Sequence, residues 1–538
     1  MRRPQPGDSG YTWVLSITWR GSAYHWTSRA IGLDGPESTY VGLVSIDAIP
    51  ERLSLTGNPA LPEVSVSLSW PKSDPVAAGI AAGFSLGGTE ARLSLVPSSS
   101  PGVGSWADRY VVVRGIIEQP LWGNASEPVS FAIVRYEDHD RSSWPPVEFK
   151  VSEYTFPTSS ATVSPPGMPP IDLASSYSAG SLYVSPETGS AYPVPWGTPG
   201  VIRGKSGLEN DDQVPVMSAI VVDRDADGLV NTLLLAGGRP AGTVFTLWIW
   251  FNDKWNYHKD KTLTYSQDAI GQPIAVYDMT SGWTDEARGC EKYATTWPNG
   301  GVLLSGRPEG SRGAGQLGVW WLERSGVPVD LPMAFGAASE IDAYRMDGWI
   351  EEPVSASEWI ADRLIGALPA FMANAPNGSR FVKPIRWQAV AADSRAKLVE
   401  GAGTVRRSDR VSTIGDGRAT TIVVRWGFDL HVNGYAWTTY RYIGDVSLGV
   451  GEEIEIELPD CYETRTAELV AEWTAWREAA PRDQIKITVS TARWGWLSPG
   501  DVVTYTEEGL SMTDRVCLVS SIERTDQPWA SVELLPIR

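Results

Sequence analysis

The sequence predicts a mainly β, multidomain protein with some α+β character. Three observations carry this. The chain has 538 residues, which at about 150 per domain gives roughly three to four domains. Apolar residues alternate with polar ones near both ends, the period of half-buried strands. With 53 Gly, 39 Pro, 42% hydrophobic and 20% charged residues, the composition is that of a turn-rich globular chain and excludes wholesale disorder or a collagen repeat.

Trp13, Leu15, Ile17 and Trp19 alternate, Gly21-Ser22 punctuates them, and residues 24–31 return as a second strand. Val64, Val66, Leu68 and Trp70 repeat the period, and residues 110–117 and 129–136 add two strands across a turn-rich stretch. Residues 1–150 therefore read as an antiparallel barrel or sandwich. Residues 151–215 are rich in Pro, Ser and Gly and read as an extended arm. Residues 218–223, 229–236 and 243–251 regain strand character and place a small β domain at 216–310.

In 311–400 the period becomes helical. Leu317, Trp320 and Trp321 are followed by Gly326 as a stop, and Ser355 with Glu358 forms a capping box ahead of Trp359, Ile360, Leu364 and Leu368. Residues 401–538 are expected to hold a second β-rich domain with one helix and a terminal small barrel. There Asn433-Gly434 is the chain's strongest hairpin signal, and Leu469, Val470, Trp473 and Trp476 give one apolar helix face closed by Pro481. Ile485, Ile487 and Val489, the turn Ser498-Pro499-Gly500-Asp501, and residues 502–506, 516–522 and 529–535 form a meander of short strands. No fixed internal period supports a solenoid or propeller.

Lys and Arg total 45 against 64 Asp and Glu, a formal charge of −19 without a basic block, so sequence-specific nucleic-acid binding is not expected. Cys290, Cys461 and Cys517 have neither metal-ligand nor disulfide-framework spacing. Neither an apolar signal core behind the N-terminal arginines nor a run of roughly 18 apolar residues is present, so the chain is expected to be made in the cytoplasm without a transmembrane segment. Trp, at 25, outnumbers Tyr at 19 and Phe at 10, supplying rigid surfaces for packing, subunit contact or sugar stacking.

Motifs with catalytic overtones weaken on inspection. Gly7-Asp8-Ser9-Gly10 spells a serine-protease neighbourhood, but almost nothing precedes it to supply histidine and aspartate. Residues 200–206 imitate a phosphate loop, yet Pro199 stands where its first Gly is required. Asp223, Asp225, Asp227 and Gly228 open like a calcium loop, but Leu234 replaces the closing acid and strands flank it, favouring a solvated hairpin turn. His25, His139, His258 and His431 are scattered. Glu351-Glu352, Glu452-Glu453 and Glu507-Glu508 could supply glycosidase carboxylates, but adjacent acids on a strand face opposite ways. Trp283, Trp297 and Trp437 are candidates for sugar stacking, with packing the stronger reading; Trp122 and Trp196 depend on burial. The sequons at Asn124 and Asn377 carry little weight without a secretory signal. No catalytic, cofactor-binding or metal-binding residue is assigned, and no cofactor is expected.

Four stretches, taken in order, resemble the central hub proteins at the distal end of bacteriophage tails, a group that includes baseplate hubs and tail-tip proteins. RYVVVRGIIEQPLWGNASEPVSFAIVRYED (109–138) resembles the hairpin of the hub's first tube-like barrel, and GSAYPVPWGTPG (189–200) is similar to a Gly/Pro segment of related tail proteins. Residues 343–387 resemble the hub pattern of a strand, a Trp-bearing helix ending in Leu-Pro, and a Gly-turn strand. The helix with Trp473 and Trp476, followed by ITVSTARWGWLSPGDVVTY (487–505), resembles the end of such hubs.

The resemblance implies tube-like antiparallel β-barrels plus small α/β modules, in a homotrimer whose paired tube domains let a three-fold hub meet six-fold tail rings. It implies a non-enzymatic virion structural protein at the distal end of the tail, joining the tube to fibres or a puncturing apparatus, lining the DNA exit path and serving host attachment. Implied partners are the distal tail protein, the tail tube ring, the tape-measure protein, and tail fibre or spike proteins. The acidic composition suggests a lumen that repels passing DNA. Two other classes remain open: a carbohydrate-binding adhesin or receptor-binding protein, and a glycan-degrading enzyme whose cleft would gather carboxylates.

Overall fold

The structure is a computed structural model. It describes residues within 11–135 and 313–537, apart from 36–38, 54–63, 70–74, 101–102, 122–127, 324–326, 351–353, 376, 415–418, 430–433, 444–450 and 479–481, together with short separate stretches between 143 and 305. The protein is mainly β and multidomain, with several sheets, one nearly closed barrel and some helices.

The first sheet starts where alternation predicts it. Tyr11–Trp19 pairs antiparallel with Ser22–Thr27, and Trp19 faces Ser22 across a two-residue turn. Arg20 (φ 52°) and Gly21 (φ 81°) both take the left-handed conformation, as a tight hairpin with right-twisted strands requires. The second strand ends at Thr27 rather than 31, because the chain turns there and Thr27 Oγ1 donates to Arg29 O at 2.7 Å. Across the sheet the order is Thr39–Val41, Ser22–Thr27, Tyr11–Trp19, Glu90–Ser100, Tyr110–Leu121, Val129–Arg135, Val64–Leu68 and Leu43–Ile46. Glu90–Ser100 lies near the middle and buries Ala91, Leu93 and Leu95 among Trp13, Leu15, Ile17, Trp26 and Phe131.

The last sheet contains the expected meander. Val502–Glu507, Met512–Arg524 and Trp529–Pro536 follow one another antiparallel, and Arg482–Ser490 pairs with the last of them. Val405–Ile414 and Ala396–Val399 complete its two ends. Ile485, Ile487, Val489, Val519, Val532 and Leu534 fill its core. Ile49–Arg52 leaves the N-terminal region and pairs with Met512–Arg524, so the first and last parts of the chain share a sheet.

Between them, helices Ala314–Leu322 and Leu331–Ile341 pack together beside the hairpin Ala370–Asn374 and Arg380–Pro384. Ser355 caps the next helix, its Oγ accepting from Glu358 N–H at 3.3 Å, and the helix widens into a π-helix over Ile360–Ile365. Ala419–Asp429 and Gly434–Tyr442 form the expected hairpin, with Glu452–Leu458 parallel on the other side of the first strand. Asp429 pairs with Gly434 at its closed end, and Asn433 lies outside the described residues. Helix Thr464–Glu478 buries Thr466, Ala467, Val470, Ala471, Trp473, Thr474 and Ala475, so it is enclosed on more than the single face expected, packing on the hairpin and on a second cluster.

Strand pairing also links the segments read separately in the sequence. Val201–Ile202 runs parallel to Ala419–Asp429 and antiparallel to Val214–Ser218, which continues through Val302–Ser305 to Thr246–Phe251 and Lys254–His258. Ile220–Arg224, Val230–Gly237, Pro273–Asp278 and Thr264–Gln267 form a separate four-stranded sheet. Short pairs tie Val194–Trp196 to Gly348–Ile350 and Ser143–Trp144 to Val354–Ser355.

Candidate functional site

A cleft of about 550 Å³ lies where helix Leu331–Ile341, the hairpin Ala370–Pro384 and the turn at 498–501 meet. Its floor is set by Asp501, which is 2% exposed. Asp501 Oδ1 accepts from Lys383 Nζ at 2.9 Å and from an Arg395 guanidinium N–H at 2.8 Å, while Oδ2 accepts from Ser498 N–H at 3.0 Å. Burial alone would push this carboxyl up, but Lys383 and Arg395 together outweigh it and hold it below the ordinary aspartate range. Gly500 stands at φ +76°, and a Cβ there would lie 2.7 Å from Phe371 Cε1, so the turn needs glycine. Every one of Lys383's polar contacts (Ser498 Oγ, Pro499 O and Asp501) goes to this turn, so the charges fasten the hairpin to the last sheet.

A second buried charge pair lies at the strand that crosses from the N-terminal region. Arg524 is fully buried and donates to Gly495 O at 2.9 Å, to Leu497 O, and to Glu51 Oε2 at 3.0 Å. Glu51 Oε1 accepts from Asn374 Nδ2 at 3.3 Å, and Trp13 Nε1 donates to Thr525 O at 2.9 Å. Four distant parts of the chain are thereby held at one point. Sequence reasoning missed both Asp501–Lys383–Arg395 and Glu51–Arg524, whose partners are more than 100 residues apart; the only local signal was the turn at 498–501.

The residues singled out in the sequence do not converge on a reaction centre among those described. His25 is 7% exposed, with Nδ1 2.8 Å from Ser16 Oγ and its ring edge-on to Trp106 at 4.7 Å. Burial, assisted by the charge of Arg109, pushes it down to about 4. Glu507 is 1% exposed and accepts from Tyr505 Oη at 2.7 Å, whereas Glu508 is exposed and opens the 3-10 turn Glu508–Leu510 where the strand Val502–Glu507 ends. Glu452 and Glu453 are both exposed. Trp437 is half-buried against Trp426 at 4.6 Å and lies across Gly427. Trp283 is half-buried. Cys461 and Cys517 are free and buried, and burial pushes each thiol up to about 12.

Asp223 lies on the backbone of a strand hairpin and Asp227 is exposed in its turn. Among the described residues no group of three or more His, Cys, Asp or Glu could hold a metal. No helix described is long and apolar enough to cross a membrane, which says nothing of a β-barrel. Gly7 to Gly10, residues 203–206, Asp225, Gly228, His139, His431, Glu351, Glu352, Trp122, Trp297, Asn124 and Cys290 lie outside the described residues, and of Asp223, Trp196 and His258 only the backbone is described.

The tryptophans in view mainly pack on one another. Trp321 stacks on Trp359 at 4.9 Å, and Trp473 on Trp476 at 5.3 Å with Trp387 beside both.

Comparison with known proteins bears on this arrangement. Residues 355–520 match the family model described as putative phage tail protein. The match begins at the Ser355 helix cap and ends in the strand Met512–Arg524, so it takes in the Asp501 cluster. No curated protein matches the chain. Among solved structures, similarity is found to the 43 kDa tail protein of prophage MuSo2 from Shewanella oneidensis, at 8% identity over 98% of this chain and 97% of that one, TM-score 0.37. The tail protein from Neisseria meningitidis MC58 gives 11% identity over 98% and 97%, also at TM-score 0.37. A chain of a gene transfer agent virion gives 13% identity over 68% and 89%, again at TM-score 0.37.

Proposed function

We propose that this chain is a structural, non-enzymatic protein of a bacteriophage-type tail, and that it acts there as the central hub. The observation that carries the reading is the family match over residues 355–520, which holds one of the four hub-like stretches whole, the helix with Trp473 and Trp476 followed by residues 487–505, and most of a second, 343–387. The arrangement of charge supports it: the buried ion pairs bind the last sheet to the crossing strand and to the central hairpin, as a load-transmitting part requires.

In this reading three copies form a ring at the distal end of the tail. The distal tail protein or tube ring lies above, the tape-measure end inside, and fibres or a spike below, with DNA leaving through the centre. Antibody labelling of purified particles carrying the chain tests it. Label at the distal tail end is the expected result; label on the capsid, or particles lacking the chain, overturns it.

A further inference from the structure

The sequence holds three Asn-Gly pairs, at 299–300, 377–378 and 433–434, and both residues of the middle pair are described. Asn-Gly is the dipeptide most open to deamidation, because glycine has no side chain to screen its own backbone nitrogen from the preceding carboxamide. Asn377 is exposed at the tip of the hairpin that joins Ala370–Asn374 to Arg380–Pro384. Its carboxamide is held at both ends: Oδ1 accepts from Ser379 N–H at 2.9 Å, and Nδ2 donates to Asp330 Oδ2 at 2.9 Å. Asp330 Oδ1 accepts from Met333 N–H at 3.1 Å as the N-cap of helix Leu331–Ile341. One carboxylate therefore fastens the hairpin tip to the helix.

Gly378 is held as firmly. Its N–H donates to Ala375 O at 2.9 Å. Its φ is +79°, and a Cβ there would lie 2.6 Å from Val111 Cγ1 and 2.9 Å from Arg114 Cβ, so the tip is seated on the strand Tyr110–Leu121 of the first sheet.

Deamidation requires the Gly378 nitrogen, after hydroxide takes its proton, to bond to Asn377 Cγ. The Cγ–Nδ2 bond then breaks, and Nδ2 leaves as ammonia with a proton from water, which restores the hydroxide. A second water opens the cyclic imide to aspartate or isoaspartate, so the net change is one water taken up and one ammonia released. In the seated tip the N–H to be removed is bonded to Ala375 O, and the carboxamide is pinned by Ser379 and Asp330. Attack therefore needs the tip to lift off Val111 and Arg114.

We propose that Asn377 is a covalent modification site gated by this hairpin: the seated tip shields it, and its conversion once the tip lifts unfastens the hairpin from helix Leu331–Ile341. A carboxylate at 377 can still accept from Ser379 N–H, but it has no N–H to give Asp330, and two carboxylates at hydrogen-bond distance repel. Loss of ammonia makes the change one-way. The proposal does not rest on the tail reading.

The experiment incubates the full chain in mildly alkaline buffer, native and in guanidinium chloride, and follows asparagine, aspartate and isoaspartate at 377 by peptide mapping. In guanidinium chloride the three Asn-Gly pairs should convert at similar rates, which calibrates the unfolded reaction. In the native chain Asn377 should convert at least tenfold more slowly than in the unfolded one. Asp330→Ser keeps a helix cap but removes the acceptor of Nδ2, and should speed the native reaction at least threefold. Equal native and unfolded rates, or a wild-type native rate in Asp330→Ser, overturn the shielding. Asn377→Asp, which installs the product, should melt below the wild type, and the same change should have little effect in the Asp330→Ser background. Melting with the wild type, or an equal loss in both backgrounds, overturns the unfastening.

Discussion

A buried histidine and a half-buried aspartate set opposite pH dependences. His25 drops from 6.5 to about 4 in the fold, so between those values the unfolded chain binds more protons. Its contribution is complete above pH 6.5 and is lost as pH falls toward 4, an effect on the order of 2 kcal/mol after solvent screening. Asp460 behaves in the other sense: burial pushes it up to about 6, Arg363 opposes this, and Asp347 adds to it. The folded state then binds the extra proton, and stability rises as pH falls from about 6 toward 4. The two effects overlap and partly cancel in the native chain. Urea midpoints at pH 7 and pH 4.5 separate them: H25Q should retain only the acid-side gain, and D460N should steepen the acid-side loss. Neither shift was legible in the sequence, because burial of His25 depends on Trp106 and Arg109, about 80 residues away.

At the scale of elements, the crossing strand Ile49–Arg52 depends on one ion pair. Arg524→Met leaves Glu51 buried without its cation and should cost about 3–5 kcal/mol, while pairing it with Glu51→Met should recover much of that. Thermal and urea unfolding of the single and double variants measure it. At the turn, Gly500→Ala must accept both φ +76° and the contact with Phe371, and should lose about 1–3 kcal/mol in the same assay.

Most strands could be read from alternation, since Leu15, Ile17, Val66, Ile487 and Val489 each put their side chain into a core. Glu90–Ser100 shows where composition misleads: Pro97 and the serines after it resemble a loop, yet Ala91, Leu93 and Leu95 carry the strand period and are buried. The Asn433-Gly434 signal found the hairpin of Ala419–Asp429 with Gly434–Tyr442, whose register is set by pairing along both strands. For helix Thr464–Glu478, an apolar stripe understated burial, since Thr466 and Thr474 are also enclosed between two packed neighbours.

At the scale of the whole molecule, local pattern identified β modules and a helical centre, but not which modules share a sheet. The link from Ile49–Arg52 to Met512–Arg524 joins residues over 450 positions apart, and the chain between them carries no sign of it. The assembly claim is tested most directly by light scattering of the purified chain together with imaging down the particle axis. The account predicts a mass of three chains and a three-fold ring; a mass of one chain at working concentration, with no ring in the images, would contradict it.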